Sequence, residues 1–529
     1  MKKGFTLIEL LAVIVILAVI ALIATPIIIN IIEDTQKNAA RESAKLYVDG
    51  LNTSITSKLL INDGIPSQCF ITNGTLLCDG KITDYEVSGE KPTTGYINYN
   101  NGKVSEYALC IMNYKVSKVG NNTSVEKSDE CTTGEQLLPT EEVDVYAGSG
   151  KSSSLTGCGT ENNPYLITSA NDLIYMRDQI NLNEDITTTS TCDANEHLHP
   201  YESYYKQTAN IALNDTTNWK SWDANTTGLY EWEPIQGDPF FSGIYDGDNH
   251  SISGIYISNI GETDEYDGYL VAGLFGDTDY IQVKNLRVIK SYMSSNFAGG
   301  IIASVSGMVI MDNCYTDVKI EGAYIGGMIG YATPFLNSEL TNLYSNSSLT
   351  AINNAGGIVG YYYDAYDFSG NSLALRNLTN SGNITCNIPE DIYEYDCVND
   401  IAPCGGIIGN YYAPWDTTIS ADRLYNLGNI SYNLSNNYFD PFDNEYYGST
   451  SSAGGLFGAL INADASISNS TNSGNITCVA SNENYLTCEG IIGSDRDSTV
   501  NLTNTVNLGN VSVTNPEGTG SNSGSGRKW

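Results

Sequence analysis

The sequence predicts an α+β amino-terminal part, one long α-helix with a small antiparallel sheet, followed by an all-β, right-handed parallel β-helix. Three observations predict this. An apolar run of membrane length, residues 5–32, leads into a stripe of apolar residues at helical spacing. Two Asn-Gly pairs then interrupt alternating segments, as in β-hairpins. Finally, a glycine followed by two apolar residues recurs seven times between positions 273 and 490. With 529 residues there is room for several domains. The 61 acids against 25 bases give a formal charge of −36, a surface that repels nucleic acid. The abundance of Gly, Asn, Ser, Thr and Tyr suits a β-rich exported chain. Three histidines, His197, His199 and His250, leave few positions for histidine chemistry.

The first segment reads Met1-Lys2-Lys3-Gly4-Phe5-Thr6-Leu7-Ile8-Glu9. A helix over residues 5–32 would extend about 40 Å at 1.5 Å per residue, enough to cross a bilayer. Lys2 and Lys3 should stay cytoplasmic, leaving the remainder outside. A secretory signal places its cleavage site after the apolar run, whereas Gly4 precedes it. Glu9 is an acid at membrane depth, hence a candidate functional residue. Cleavage after Gly4 would free the amine of Phe5, which can neutralise Glu9 of a neighbouring subunit in a packed filament. Residues 2–9 resemble the processing and methylation signature of type IV prepilins and pseudopilins, and Pro26 matches a helix-kinking proline common there. The resemblance implies a leader at 1–4, cleavage between Gly4 and Phe5 by a prepilin peptidase, and N-methylation of Phe5. It also implies assembly through Glu9 with other pilin subunits and the pilus machinery.

The helix is expected to continue to residue 59, because Ala40, Ala44, Tyr47, Val48, Leu51, Ile55 and Leu59 share one face. Residues 60–131 read as a small antiparallel head seated on that stripe. A two-residue turn at Asn73-Gly74 pairs Thr72 with Thr75, Ile71 with Leu76 and Cys69 with Cys78, so that a disulfide is geometrically reasonable. A second hairpin around Asn101-Gly102 and a strand over 106–116 follow, and Cys110 with Cys131 would clip the end. Residues 132–157 are polar and read as a linker. Gly148-Ser-Gly-Lys151-Ser152 lacks the glycine spacing and preceding strand of a phosphate loop.

The repeats occupy residues 269–515, after a cap and first coils at 158–268 and before a disordered Gly/Ser tail at 516–529. The anchors are Gly273, Gly300, Gly327, Gly357, Gly406, Gly455 and Gly490, spaced 27, 27, 30, 49, 49 and 35 residues apart. Each unit reads as three short strands with Gly or Asn corners, one rung of a parallel β-helix. Asn285, Asn313, Asn342, Asn377, Asn469 and Asn504 fall at one corner, where stacked amides can hydrogen-bond between rungs. The repeats resemble the GLUG repeat of bacterial surface proteins, including the lead-in at 163–167, a short helix near 171–180, and Asp246-Gly247-Asp248-Asn249. Cys386 and Cys478 end equivalent strands, and Cys404 and Cys488 stand two residues before anchors, which points to pairs 386–404 and 478–488. Cys158 is a candidate partner for Cys192, Cys314 replaces a core leucine as a free thiol, and Cys397 is left over.

The long spacings read as insertion loops rich in aromatics and acids: Tyr361, Tyr362, Tyr363 and Tyr366; Tyr411, Tyr412 and Trp415; Tyr438, Phe439, Tyr446 and Tyr447. Aromatics on protruding loops suit recognition of an extracellular glycan or protein; the blander reading packs them on the solenoid's flank. Cys192 with His197 and His199 lacks a second cluster, and Asp246-Gly-Asp248 reads as a corner turn, so neither metal nor cofactor is expected. Bases from 270 to 515 are few and scattered, unlike an enzyme acting on acidic polysaccharide. The reading is a minor pilin-like subunit displaying a β-helical adhesin at the cell surface, itself no enzyme. The alternatives are a pseudopilin of a type II secretion or DNA-uptake machine, a single-pass anchored surface protein and, last, a polysaccharide-active enzyme.

Overall fold

The structure, a computed structural model, describes residues 7–58, 66–131 with short gaps, 137, 143, 145–192, 198–259, 270–364, 371–388, 402–413, 417–434, 439–440, 445–446, 451–480 and 486–514. For most of 7–30, and for 439–446, only the backbone is described. The chain divides into two compact units, Met1–Thr140 and Glu141–Trp529.

In the first unit, α1 (Leu7–Lys58) runs as one helix past Pro26. Its Ala40, Ala44, Tyr47, Val48, Leu51 and Ile55 are buried with Ile71, Ile97, Leu109, Ile111 and Val116 of the sheet. Those helix positions recur every three or four residues, so they form one face. The sheet has seven antiparallel strands in the spatial order 81–82, 75–78, 68–72, 95–100, 103–111, 114–119 and 122–127. In its first hairpin Thr72 faces Thr75, Ile71 faces Leu76 and Cys69 faces Cys78. The strand expected over 106–116 is instead broken at Met112 and Asn113, whose φ values of 51° and 65° make a two-residue hairpin turn. Disulfides join Cys69 to Cys78 and Cys110 to Cys131.

The segment expected as a linker divides between the units. Leu137 is buried beside Cys110, Cys131 and Tyr96 of the head. Val145 bridges Ala212, and Leu155, which bridges Thr188, is buried in the core of the second unit. Its polar composition misled because its few apolar residues are the ones that pack.

The second unit begins with a disulfide between Cys158 and Cys192 and with α2 (Ala170–Asn181). The Ser169 hydroxyl accepts from the Asp172 amide at the start of α2, which buries Leu173, Ile174, Met176 and Ile180. The rest is a 31-stranded sheet in which each strand pairs in parallel with the strand one repeat later. Phe275, Ile302, Ile329, Val359, Ile408, Phe457 and Ile492 form one such column. The curled parallel sheet encloses one continuous apolar core and fits a β-helix. At the anchors backbones approach so closely that a Cβ on Gly357 would strike the Gly406 carbonyl oxygen, and one on Gly406 that of Gly455.

Two asparagine columns lock the rungs. At the outer corner Asn285, Asn313, Asn342, Asn377, Asn469 and Asn504 all take positive φ. Asn313 donates to Asn285 (2.8 Å), Asn377 to Asn342 (2.8 Å) and Asn504 to Asn469 (3.3 Å). Arg423 takes that conformation in the one rung lacking the asparagine, and there Asn469 donates to Asp422 (2.8 Å). The inner column runs Asn380, Asn426, Asn472 and Asn507, with amide-to-amide bonds of 2.9, 2.8 and 2.7 Å. Each also donates to the carbonyl two residues on, at Gly382, Gly428, Gly474 and Gly509. Disulfides join Cys386 to Cys404 and Cys478 to Cys488. Cys314 is a free, buried thiol in register with Leu343, and burial pushes its pKa up to about 12.

Candidate ligand-binding face of the repeats

After a glycine bend in each rung, a short strand carries three residues that alternate outward, inward and outward. In three successive rungs these are Tyr331-Ala-Thr, Tyr361-Tyr-Tyr and Asn410-Tyr-Tyr, paired in register. The period of two turns Ala332, Tyr362 and Tyr411 into the core and leaves Tyr331, Tyr361, Tyr363 and Tyr412 half-buried on the outside. This corrects the expectation of loops. Tyr361, Tyr362 and Tyr363 lie within the strand Val359–Tyr363, and Tyr411 and Tyr412 within Ile408–Tyr412. Tyr362 and Tyr411 stack on each other inside, 5.1 Å between ring centroids, and are unavailable to a ligand.

The outward rings form one contiguous array. Tyr331 stacks on Tyr361 (5.2 Å), Tyr361 on Tyr363 (6.2 Å) and Tyr363 on Tyr412 (5.3 Å). Phe297 stacks on Tyr324 (5.1 Å) and reaches Tyr331 (5.0 Å) across the glycine corner. Sequence reasoning missed Phe297, Tyr324 and Tyr331. Their signal was present: Phe297 and Tyr324 each stand two residues before a Gly-Gly pair, Phe-Ala-Gly-Gly and Tyr-Ile-Gly-Gly. Burial and the neighbouring tyrosines hold the Tyr361 hydroxyl far above the ordinary phenol value, so it is a neutral donor and acceptor.

Toward the N-terminal rungs the two outward columns change chemistry. The column of Tyr361 and Tyr331 continues through Ser304 to Asp277. Beside it stand Thr333, Ser306 and Asp279. Burial raises the carboxyl pKa of both Asp277 and Asp279, opposed by hydrogen bonds with Ser304 and Ser306. From these acids as far as Asn410 and Tyr412, no lysine or arginine occupies either column among the described residues. A second surface depression, of 440 Å³ between the outer faces of 418–420, 464–466 and 499–501, is lined mostly by small polar side chains with no aromatic ring.

Of the other candidates, Tyr366, Trp415, Tyr438, Tyr447, His197 and Cys397 lie outside the described residues, and Phe439 and Tyr446 sit on a two-stranded hairpin. Among the described residues no cluster of three metal-ligating side chains occurs. Asp246 and Asp248 instead face Lys284 (3.4 Å) and Lys206 (3.1 Å). Gly4 and Phe5 lie outside the described residues, and Glu9 and Pro26 lie on α1. Among the described residues no helix is long and apolar enough to cross a membrane.

These features define a chain with a prepilin-type N-terminus that carries a curled parallel sheet with an aromatic outer strip. Residues 1–25 match the prokaryotic N-terminal methylation motif. That motif implies processing by a prepilin peptidase, a membrane-anchored precursor and a pilin-like assembly context. The chain is 29% identical over 199 residues to halomucin of Haloquadratum walsbyi, a match covering 37% of this chain and 2% of that protein. The chain thus spans a small fraction of that relative's length. Among solved structures, a candidate immunoglobulin A1 protease from Bacteroides ovatus aligns with 66% of this chain and 86% of its own, at 17% identity and a TM-score of 0.37.

Proposed function

We propose that this protein is a minor type IV pilin-like subunit that displays a right-handed, GLUG-type β-helix as a glycan-binding adhesin on the cell surface. One observation supports the reading most: six half-buried aromatic rings, Phe297, Tyr324, Tyr331, Tyr361, Tyr363 and Tyr412, form a continuous strip along the outside of successive rungs. Because the rings stack on one another, the row presents a continuous run of ring edges and hydroxyls, a large contact area at low entropic cost for the C–H and O–H groups of sugars. The right hand follows from the strong preference of parallel crossovers. A cargo of almost 400 residues is hard to place on every subunit of a helical filament, which favours a minor position.

The test is a glycan array probed with the full-length, detergent-solubilised protein and with its Tyr361→Ala/Tyr363→Ala variant. The reading expects the wild type to bind a defined set of glycans and the variant to lose them while retaining its fold. Wild-type silence across the array, or undiminished binding by the variant, overturns it. Assembly is tested separately: Glu9→Ala should be processed normally yet be missing from purified filaments.

A further inference from the structure

The strip differs along its length, and this bears on what lies on it. Its outward columns end, on the N-terminal side, in Asp277 and Asp279. Three other outward acids of the repeats face a base: Asp246 meets Lys284, Glu339 meets Arg376 (2.7 Å) and Asp422 meets Arg423 (3.0 Å). Among the described residues Asp277 and Asp279 face serine hydroxyls and no base, with Ser306 at 3.2 Å from Asp279. Each carboxyl, half-buried, therefore gains from a cation that reaches it. Carboxylates without a base at the end of an aromatic strip favour a cation and reject an anion. Parallel rungs repeat about every 4.8 Å, close to the length of one sugar unit, so a polysaccharide running along the axis would place one residue per rung.

We propose that the strip binds a linear amino-sugar polysaccharide lengthwise, its sugar rings along the outer edges of Tyr331, Tyr361 and Tyr363 and its free ammonium groups beside Asp277 and Asp279. This rests on the glycan-binding reading above and names its ligand class. The raised carboxyl pKa values agree, because an approaching ammonium reverses the cost that burial imposes on the charge.

The experiment compares three hexasaccharides by titration against the full-length protein in detergent near pH 6: glucosamine hexamer, N-acetylglucosamine hexamer and galacturonate hexamer. At low salt the glucosamine hexamer should bind about tenfold tighter than its acetylated form, a gap that shrinks as salt screens it, and the galacturonate should not bind. Asp277→Asn/Asp279→Asn should close the gap and leave binding of the acetylated hexamer unchanged. Ser304→Lys, which leaves both acids in place, should also weaken the glucosamine hexamer selectively, covering the case in which the double variant fails to fold. Equal affinity for the two glucosamine-based hexamers, or a gap that survives these substitutions, overturns this inference alone. If none of the three binds, this inference fails, and the array decides whether the wider glycan reading survives. If they bind and Tyr361→Ala leaves the affinities unchanged, both fail.

Discussion

Inside and outside the same rung, the same residue types do different work. In Val359–Tyr363 and Ile408–Tyr412, Tyr362 and Tyr411 stack within the core while Tyr361, Tyr363 and Tyr412 stack on the surface. The asparagines divide likewise. Asn380, Asn426 and Asn472 are fully buried, whereas Asn313 and Asn342 hold an exposed corner. What assigns the role is position relative to the glycine bend and the period of two, with residue type secondary.

The largest effect should separate the two tyrosine columns. Tyr411→Ala opens a cavity in a dry core and should cost about 3–5 kcal/mol, by the precedent of large aromatic truncations. Tyr412→Ala, one residue on, should cost less than about 1 kcal/mol, as surface substitutions do. Urea unfolding of the two variants, followed through the transition of the second unit, measures both. Equal losses would break the division between inner and outer columns.

The asparagine columns should show a smaller difference of the same sign. Asn426→Ala removes a donor to Asn472 and to Gly428, and strands the Asn380 amide that donates to Asn426. With buried polar groups left unpaired the cost should be about 2–3 kcal/mol. Asn342→Ala sits at φ 54° and loses an exposed bond to Asp312 and a half-buried one from Asn377, so its cost is roughly 1 kcal/mol, mainly from the left-handed backbone. A larger loss for Asn342→Ala, in the same unfolding experiment, would show that the exposed corner holds the rungs.

Much of this architecture was legible beforehand, and the failures have one cause. The helix stripe, the first hairpin's register and the outer asparagine corner could be read because each is a local spacing set by helix, turn or repeat period. The inner asparagines also repeat, two residues before Gly382, Gly428, Gly474 and Gly509, but nothing in that spacing tells a buried side chain from an exposed one. The tyrosines were read as loops because Tyr361-Tyr-Tyr stands in a unit of 49-residue spacing, and only the register with Tyr331 shows that they lie in a strand. Asp277 and Asp279 gave no signal at all. A chain with 61 acids offers no means of picking two that lack a partner until the rungs are stacked.

The smallest effect concerns charge on the outer face alone, where two groups titrate in opposite senses. Burial pushes the Asp422 carboxyl up, but hydrogen bonds from Asn469 and Ser468 and the Arg423 guanidinium outweigh it and hold the value below the ordinary 3.8. A lowered folded value means the folded state binds fewer protons than the unfolded chain. Its contribution is therefore present above pH 3.8 and lost as pH falls through the folded value. Asp277 and Asp279 are raised, so their effect has the other sign. They favour the folded state below 3.8, and that contribution is lost as pH rises through their folded values. Melting temperatures measured from about pH 3 to about pH 6 should thus respond to substitution in opposite directions. Asp422→Asn should flatten the acid limb, while Asp277→Asn/Asp279→Asn should flatten the decline on the side above 3.8. The Asp422 shift should be small, since its side chain is 31% exposed and solvent screens its partners. If the two variants shift the profile in the same direction, Asp277 and Asp279 are compensated by charges elsewhere on the face, and the distinction between paired and unpaired outward acids disappears.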